Sequence, residues 1–365
     1  MLDSGIPFDD IHYDISIIDG YNKKNNFVWS PRELGKTTSI LVQKVYKRYK
    51  EKGEPALFLY NMAADITEAQ VISIENSINK FKGREVHLSA QKDCTTIWVI
   101  WDGKSKKGRK VFAIMASVAA PIRRLKGLNF GKLSCIIYDE AIVNTRMGEK
   151  YPTGLAFKVK EIYKTFARES RPALLKLYCL GNPYSKYHPL LVDWNVPINT
   201  IKKGQILSGK DWVVHAATLS DELKQWILQN DPQHDWDDTY EKYSFDGDAI
   251  NDENVWIEEK CPPHYVLKYV FKVQDRYVWV WRFNGLQMMD DNLLSRSYWI
   301  ESMKESPGKR RDVISCDFES MTKSTLLLDA FKGLFDSLKR AIALNRVSYA
   351  SPEAYYYIQQ IYAIA

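Results

Sequence analysis

The sequence predicts an α/β unit built on a mostly parallel sheet, followed by a smaller α+β unit. Three observations predict it. From Phe27 to about Ile201, short apolar runs of strand length alternate with helical stretches. Several of these runs are apolar at every position, which is how strands buried on both faces read. After Val255 the texture changes to paired segments of alternating aromatics.

Each element has its own signal. Phe27–Trp29 reads as the end of a strand and Thr37–Lys52 as a helix. Ala56–Tyr60 is a compact apolar run, followed by a helical Thr67–Phe81. Thr96–Trp101 and Lys110–Met115 read as two strands joined by the turn WDGKSKKGRK. Leu133–Tyr138 and Leu174–Leu180 have the length of buried strands, with a helical Gly154–Arg168 between them. Asp221–Gln229 reads as a helix before a polar, acidic stretch over 231–254. The segments YVLKYVFKV and YVWVWRF then form a hairpin pattern, and Thr325–Ala343 and Glu353–Ala363 read as helices. The expected organisation is a first domain over 1–205, a linker region with helical character over 206–250, and a C-terminal α+β domain over 251–365.

Bulk composition allows this and excludes little. The chain has 365 residues, long for one domain and comfortable for two. Its net charge of +6 permits a nucleic-acid partner without demanding one. The five cysteines form no CxxC pair, so reduced thiols in a cytosolic compartment are expected rather than a disulfide framework or a metal site. The start MLDSGIPFDDIHYD is acidic and lacks the apolar core of a signal peptide. No apolar stretch reaches membrane-spanning length, so no membrane partner is expected.

The first chemical motif follows the first strand. Ser30-Pro31-Arg32-Glu33-Leu34-Gly35-Lys36-Thr37-Thr38 matches the phosphate-binding consensus GxxxxGK[ST], except that Ser30 replaces the first glycine. A strand, a loop and a G-K-T opening a helix place backbone N–H groups and the helix dipole against phosphate. Gly35 lets the backbone come close, Lys36 would neutralise the β- and γ-phosphates of ATP, and Thr37 would hold Mg²⁺ through its hydroxyl. The second motif is the apolar strand ending in Asp139 and Glu140. There Asp139 would hold the Mg²⁺ shell, and Glu140 would orient and polarise the attacking water. Alone, either motif is weak: a bare GKT is common, and strands often end in carboxylates. Together they indicate a P-loop NTPase. The Glu beside the Asp favours the class with an additional central strand (the ASCE type). Leu174–Leu180 supplies such a strand and ends in Gly181-Asn182-Pro183; Asn182 is placed to contact the γ-phosphate or water, or else simply makes an Asn-Pro turn.

The set SPRELGKT, CIIYDE and CLGN resembles the motifs of tailed-phage DNA-packaging ATPases, above all the short motors of small podophages, which read GxRGxGKS, DE and CLSN. SPRELGKT is also similar to the deviant phosphate loop of large terminase subunits, which often begins with Ser and carries an Arg; Arg32 matches that Arg. The likeness covers most of 15–200 and, weakly through VWIEEK and the aromatic hairpin, the second domain. It implies an ATPase that forms a homo-oligomeric ring, commonly a pentamer, at the portal of a procapsid in the host cytoplasm, and drives double-stranded DNA inward. A structural packaging RNA takes part in some podophage motors. The resemblance also implies trans-acting residues: Arg168 first and Arg171 second as the arginine reaching a neighbouring subunit, and Lys126, thirteen residues before Asp139, as a lysine acting on the adjacent site. As ordinary residues these would be cations at a helix end and on a solvated basic face.

DNA tracking calls for phosphate contacts from loops. The basic turn Lys104, Lys106, Lys107, Arg109 and Lys110 is the densest charge in the chain, and the loop after the acidic pair offers Arg146 and Lys150. The basic turn could instead be a solubilising hairpin turn. Three rival readings remain open: a full large terminase with an active nuclease, a structural module with a dead nucleotide site, and a cellular DNA translocase. The second domain offers Glu258, Glu259, Asp290, Asp291, Asp317 and Glu319, but YVLKYVFKV and YVWVWRF carry no Asp where a two-metal nuclease needs one. The expectation is therefore a nuclease-like, RNase H-type fold without cutting activity.

Overall fold

The computed structural model describes residues 13–31, 34–81, 83–105, 108–127, 131–143, 151–152, 154–168, 174–184, 188–197, 201–221, 223, 256–273, 276–284, 297–305, 313–316, 325–327, 332–343 and 346–364. The chain divides into two units, Met1–Ile250 and Asn251–Ala365.

The first unit opens with α1 (Ser16–Asp19) and β1 (Asn25–Trp29). Next, α2 (Lys36–Ile40) runs through a π-helical segment (Leu41–Tyr46) into α3 (Lys47–Lys52). After β2 (Ala56–Tyr60) and a short 3-10 turn come α4 (Glu68–Asn79), β3 (Leu88–Cys94), β4 (Ile97–Asp102), β5 (Lys110–Ser117) and α5 (Ile122–Gly127). The unit continues with β6 (Ile136–Tyr138), α6 (Leu155–Ala167), β7 (Leu177–Gly181), α7 (Pro189–Asp193), β8 (Ile206–Ser208) and β9 (Trp212–Ala216). The sheet order is β3-β4-β5-β2-β6-β7-β1-β9-β8. All pairings from β5 to β9 are parallel, and the two ends turn antiparallel. Strand β7 lies between β1 and β6, which is the additional-strand arrangement expected from the sequence.

Alternation explains the continuous apolar runs. Phe27, Leu57, Leu59, Ile136, Tyr138 and Cys179 pack into the cluster that includes Val159, Ile162 and Phe166 of α6. Val28, Phe58, Ile137, Tyr178 and Leu180 pack into the other cluster, with Ile40, Val45 and Tyr49 of the P-loop helix and Val71, Ile74 and Ile78 of α4. Both faces of each central strand are thus removed from water, the main favourable term in the fold. Helix α4 begins with a capping box: the Thr67 hydroxyl accepts from the Gln70 N–H, and the Gln70 side chain accepts from the Thr67 N–H, each at 3.3 Å.

The second unit holds β10 (Trp256–Ile257), β11 (Tyr265–Val273), β12 (Arg276–Phe283), β13 (Tyr298–Met303), β14 (Val313–Ser315), β15 (Thr325–Leu327), α8 (Lys332–Ala343), β16 (Val347–Tyr349) and α9 (Pro352–Ile364). Its sheet order is β10-β16-β13-β12-β11-β14-β15. Three antiparallel strands, β11 to β13, are followed by β14 and β15 added in parallel beside β11, which is RNase H-type topology.

Three expectations change. The linker region was placed from residue 206, yet β8 and β9 belong to the first sheet, where β9 pairs along all of β1. Of the rest of that region, only 209–211, 217–221 and 223 are described, so most of the Asp221–Gln229 helix lies outside the described residues. Thr325–Leu327 was read as the start of a helix and is a strand instead, because it adds in register to β14; the helix begins at Lys332. Strand β3 was not foreseen, because it is polar and largely exposed at the sheet edge, without an inward face to generate alternation.

Asp19, at the end of α1, ties three elements together. Its carboxylate accepts from Lys44 Nζ at 2.5 Å, from Lys176 Nζ at 2.8 Å and from the Tyr178 hydroxyl. Burial alone would raise its pKa, but these partners outweigh burial and hold it down to about 2. A carboxyl lowered in the folded state stabilises the fold above its ordinary pKa, and the benefit is lost as pH falls through the folded value. Asp19→Asn is therefore expected to cost on the order of 2 kcal/mol at neutral pH. It should also remove the loss of stability that the wild type shows between pH 3.8 and about 2, read by urea unfolding across pH.

Candidate active site

Three parallel strands end near one another at one edge of the sheet, β1 and β7 in step and β6 two residues earlier. Trp29 of β1 faces Gly181 of β7, and Tyr138 of β6 faces Cys179 of β7. Ser30, Asn182 and Asp139 therefore leave the sheet side by side, at the C-terminal edge where open α/β sheets bind ligands.

The loop after β1 returns to α2 through Gly35, whose φ of 77° is left-handed. Only glycine adopts that conformation without steric cost. Ser30, where the consensus has its first glycine, is not among the positive-φ residues. The substitution therefore asks nothing unusual of the backbone. Ser30 is buried, donates its N–H to Gly181 O at 3.2 Å and its hydroxyl to Pro31 O at 3.0 Å. Lys36 is buried, and its ammonium donates to Ser30 O at 3.2 Å, Pro31 O at 3.0 Å and Asn182 Oδ1 at 3.2 Å. These acceptors are neutral, so a phosphate oxygen would draw the ammonium more strongly. Leu34 is buried and Thr38 partly so, while Arg32 and Glu33 lie outside the described residues.

Thr37 and Asp139 meet across the site: the Thr37 hydroxyl lies 3.2 Å from Asp139 Oδ1 and 3.3 Å from Oδ2. Burial pushes the Asp139 carboxyl above its usual range, while the Glu140 amide, the Thr37 hydroxyl and the Lys36 charge favour the carboxylate. A hydroxyl and a carboxylate converging here are the hard oxygen donors that suit Mg²⁺. Glu140 follows with φ 47°, a conformation that costs a non-glycine residue on the order of 1 kcal/mol. Its surroundings hold it there. Asn61 Nδ2 donates to Glu140 O at 3.0 Å, and Glu140 N donates to Asp139 Oδ1 at 3.1 Å. The Tyr138 hydroxyl donates to Asn61 Oδ1, and Ala141 N donates to Leu180 O at 2.8 Å.

A buried histidine completes the support. His188 Nε2 donates to Ala141 O at 3.0 Å, and its Nδ1 accepts from Leu190 N at 3.1 Å. Burial lowers its pKa to about 3, so it is the neutral tautomer that braces the chain just after Glu140. Asn61 and His188 were not singled out from the sequence. Asn61 had a usable signal, since it is the first polar residue after the apolar run of β2, next in the sheet to β6. His188 had none.

The structure thus brings together Ser30, Gly35, Lys36, Thr37, Asp139, Glu140 and Asn182. It does not bring Arg168 to them. Helix α6 carries the chain from the side of the sheet where β6 ends to the side where β7 begins, so Arg168, exposed at its end, stands at the edge opposite this chain's own phosphate loop. Arg171, Arg146 and Lys150 lie outside the described residues, as do Lys106 and Lys107. Lys126 falls in α5. In the basic turn, Lys104 sits 3.8 Å from Glu85 with both side chains exposed, and Lys110 is exposed. Arg109 is more engaged: its guanidinium lies 4.3 Å from the Trp101 ring centroid and donates to Gln91 Oε1 at 2.8 Å.

No protein-family model matches the sequence, and no curated protein matches it. Solved structures do match in fold. One is the Phi-28 gp11 DNA packaging motor, with TM-score 0.63 and 15% identity over 96% of this chain and 97% of that one. Another is a chain of the bacteriophage Phi-29 viral genome packaging motor assembly, with TM-score 0.59 and 16% identity over 96% of this chain and 100% of that one. Both matches extend over the two units of this chain.

His188 yields a prediction with a definite sign. The unfolded chain takes up a proton near pH 6.5, while the folded chain resists until about pH 3, so this residue makes stability fall as pH drops through that window. In His188→Gln, part of the loss that the wild type shows between pH 7 and pH 5 should disappear, as read by denaturant midpoints.

Proposed function

We propose that this chain is an ATP-driven motor that moves double-stranded DNA into a viral procapsid as one subunit of a homo-oligomeric ring. The observation that supports it most is the meeting of Lys36, Thr37, Asp139, Glu140 and Asn182 at the ends of three adjacent strands, in a fold shared end to end with packaging-motor chains. In this reading the N–H groups opening α2 and the Lys36 ammonium bind the β- and γ-phosphates of ATP. Thr37 and Asp139 would hold Mg²⁺, which neutralises phosphate charge when bound. Glu140 polarises the attacking water, and Asn182 orients it or the γ-phosphate.

The position of Arg168 supports a composite site. Standing at the far edge of its own sheet, it serves a neighbouring subunit's nucleotide or none. Lys126 is proposed for the same adjacent site. A portal as docking partner, and the host cytoplasm as setting, belong to the same reading; among the described residues no helix is long and apolar enough to cross a membrane. The second unit is proposed to lack cutting activity, because β12 at the centre of its sheet and β11 beside it carry no carboxylate at all.

DNA-stimulated ATP hydrolysis by the purified chain tests the reading. Lys36→Ala and Glu140→Gln should each lower turnover at least about a hundredfold; wild-type rates in either would sink it. Arg168→Ala should be equally inactive alone, yet mixing it with Lys36→Ala subunits should restore part of the activity, because some interfaces then pair an intact loop with an intact arginine. Replacing Lys104, Lys106, Lys107 and Lys110 with Gln should weaken DNA binding and flatten its salt dependence, by the release of fewer counterions. Supercoiled plasmid incubated with the chain and Mn²⁺ should stay intact.

A further inference from the structure

A cleft of about 460 Å³ lies at the other end of the first sheet. Its floor is formed where three adjacent strands begin: Asn25 of β1 is in register with Leu177 of β7 and with Trp212 of β9. Helix α6 supplies one wall through Val159 and Tyr163, and α7 supplies another through Leu190 and Asp193. The phosphate loop sits at the opposite, C-terminal edge of these strands, so the nucleotide chemistry described above does not use this cleft.

Its lining combines three features. The first is positive charge: four lysines, Lys24, Lys160, Lys164 and Lys210, against two aspartates. Lys24 pairs with Asp211 at 3.0 Å and Lys160 with Asp193 Oδ1 at 2.5 Å. Lys164 makes only an exposed pair with Glu161 at 3.3 Å, a weak contact in water, and Lys210 has no carboxylate partner among the described residues. Two cations at the rim are thus available to an anion. The second feature is aromatic surface held in place. The Trp212 indole lies so close over Gly209 that a Cβ there would come within 2.5 Å of it. Trp194 is set edge-on to Phe27 at 6.4 Å, just before Asn195 turns the chain with φ 54°. The third is an unsatisfied acceptor: Asp193 Oδ2 is buried without a hydrogen-bond partner among the described residues. A buried carboxylate oxygen is costly until a donor reaches it.

We infer that this cleft is a second binding site for a nucleoside phosphate, with the base against the indoles, a base N–H donated to Asp193, and the phosphate on Lys164 and Lys210. Base–aromatic stacking, a directed N–H donor and a phosphate are the one combination that uses all three features. The volume suits one nucleotide. The ligand comes from one of two sources that share this chemistry: a free mononucleotide, or one nucleotide of a nucleic-acid strand.

Photolabelling of the full-length chain with 8-azidoadenosine 5′-monophosphate, followed by peptide mapping, tests the site. Crosslinks are expected in the peptides carrying Asp193–Asn195 or Lys210–Trp212. They should persist in Lys36→Ala, which separates this site from the phosphate loop, and fall about tenfold in Lys164→Glu/Lys210→Glu. Both lysines of that double variant are solvent-exposed, so it should keep the wild-type circular dichroism. Labelling confined to phosphate-loop peptides, or cleft labelling unmoved by the charge reversal, would overturn the inference. Competition assigns the source. Displacement by unlabelled AMP alone supports a free-nucleotide site, displacement by a 5′-phosphorylated octanucleotide at lower concentration supports a strand site, and displacement by neither overturns the proposal.

Discussion

The first unit depends on one constraint: its central parallel strands are buried on both faces. A strand enclosed in this way has no place along its length for a charged side chain, so polar chemistry starts only where the strand stops. Strands β1 and β7 stop together and β6 two residues earlier, and the first residues beyond them are Ser30, Asn182 and Asp139. The same enclosure, read at the opposite edge, gathers the beginnings of β1, β7 and β9 into the floor of the lysine-rich cleft. Parallel pairing makes the two ends of the sheet chemically distinct, and each concentrates polar groups for the same physical reason.

What the sheet does not supply is the conformation just past Asp139. Glu140 is held with a positive φ by bonds arriving from β2, from β7 and from His188 before α7. None of these partners is near Glu140 in the chain. Strain of this kind survives only where several contacts over-determine it, and here the contacts converge on two peptide units, those of Glu140 and Ala141. The neutral state of His188 matters to this arrangement, since its two ring nitrogens must play opposite roles, one donating to Ala141 O and one accepting from Leu190 N.

Much of this was legible in the sequence, and the reason is local. A fully apolar run, a glycine at a helix start and a pair of carboxylates at a strand end are short-range patterns, and they placed β1, β6, β7 and the loop between β1 and α2. What escaped was long-range or featureless. Asn61 and His188 act through contacts spanning 79 and 47 residues. Strand β3 lacks an inward face, β8 is three residues long, and β15 is a strand only because β14 offers it an edge. The replacement of glycine by Ser30 looked like a weakness on paper; the backbone shows that the conformational demand falls on Gly35 instead.

The helix that follows the phosphate loop is not one regular rod. Between Leu41 and Tyr46 its hydrogen bonds close one residue later than in an α-helix, so the segment takes up extra chain per turn. Residues before and after it therefore sit in different angular phases. The first phase is set by Lys36 and Thr37, which must face the strand ends. The second is set by Tyr49, which must face the core against Phe112. The wide segment acts as a gear between two registers, letting one continuous helix answer to the geometry of the phosphate loop at its start and to the packing of the sheet at its end.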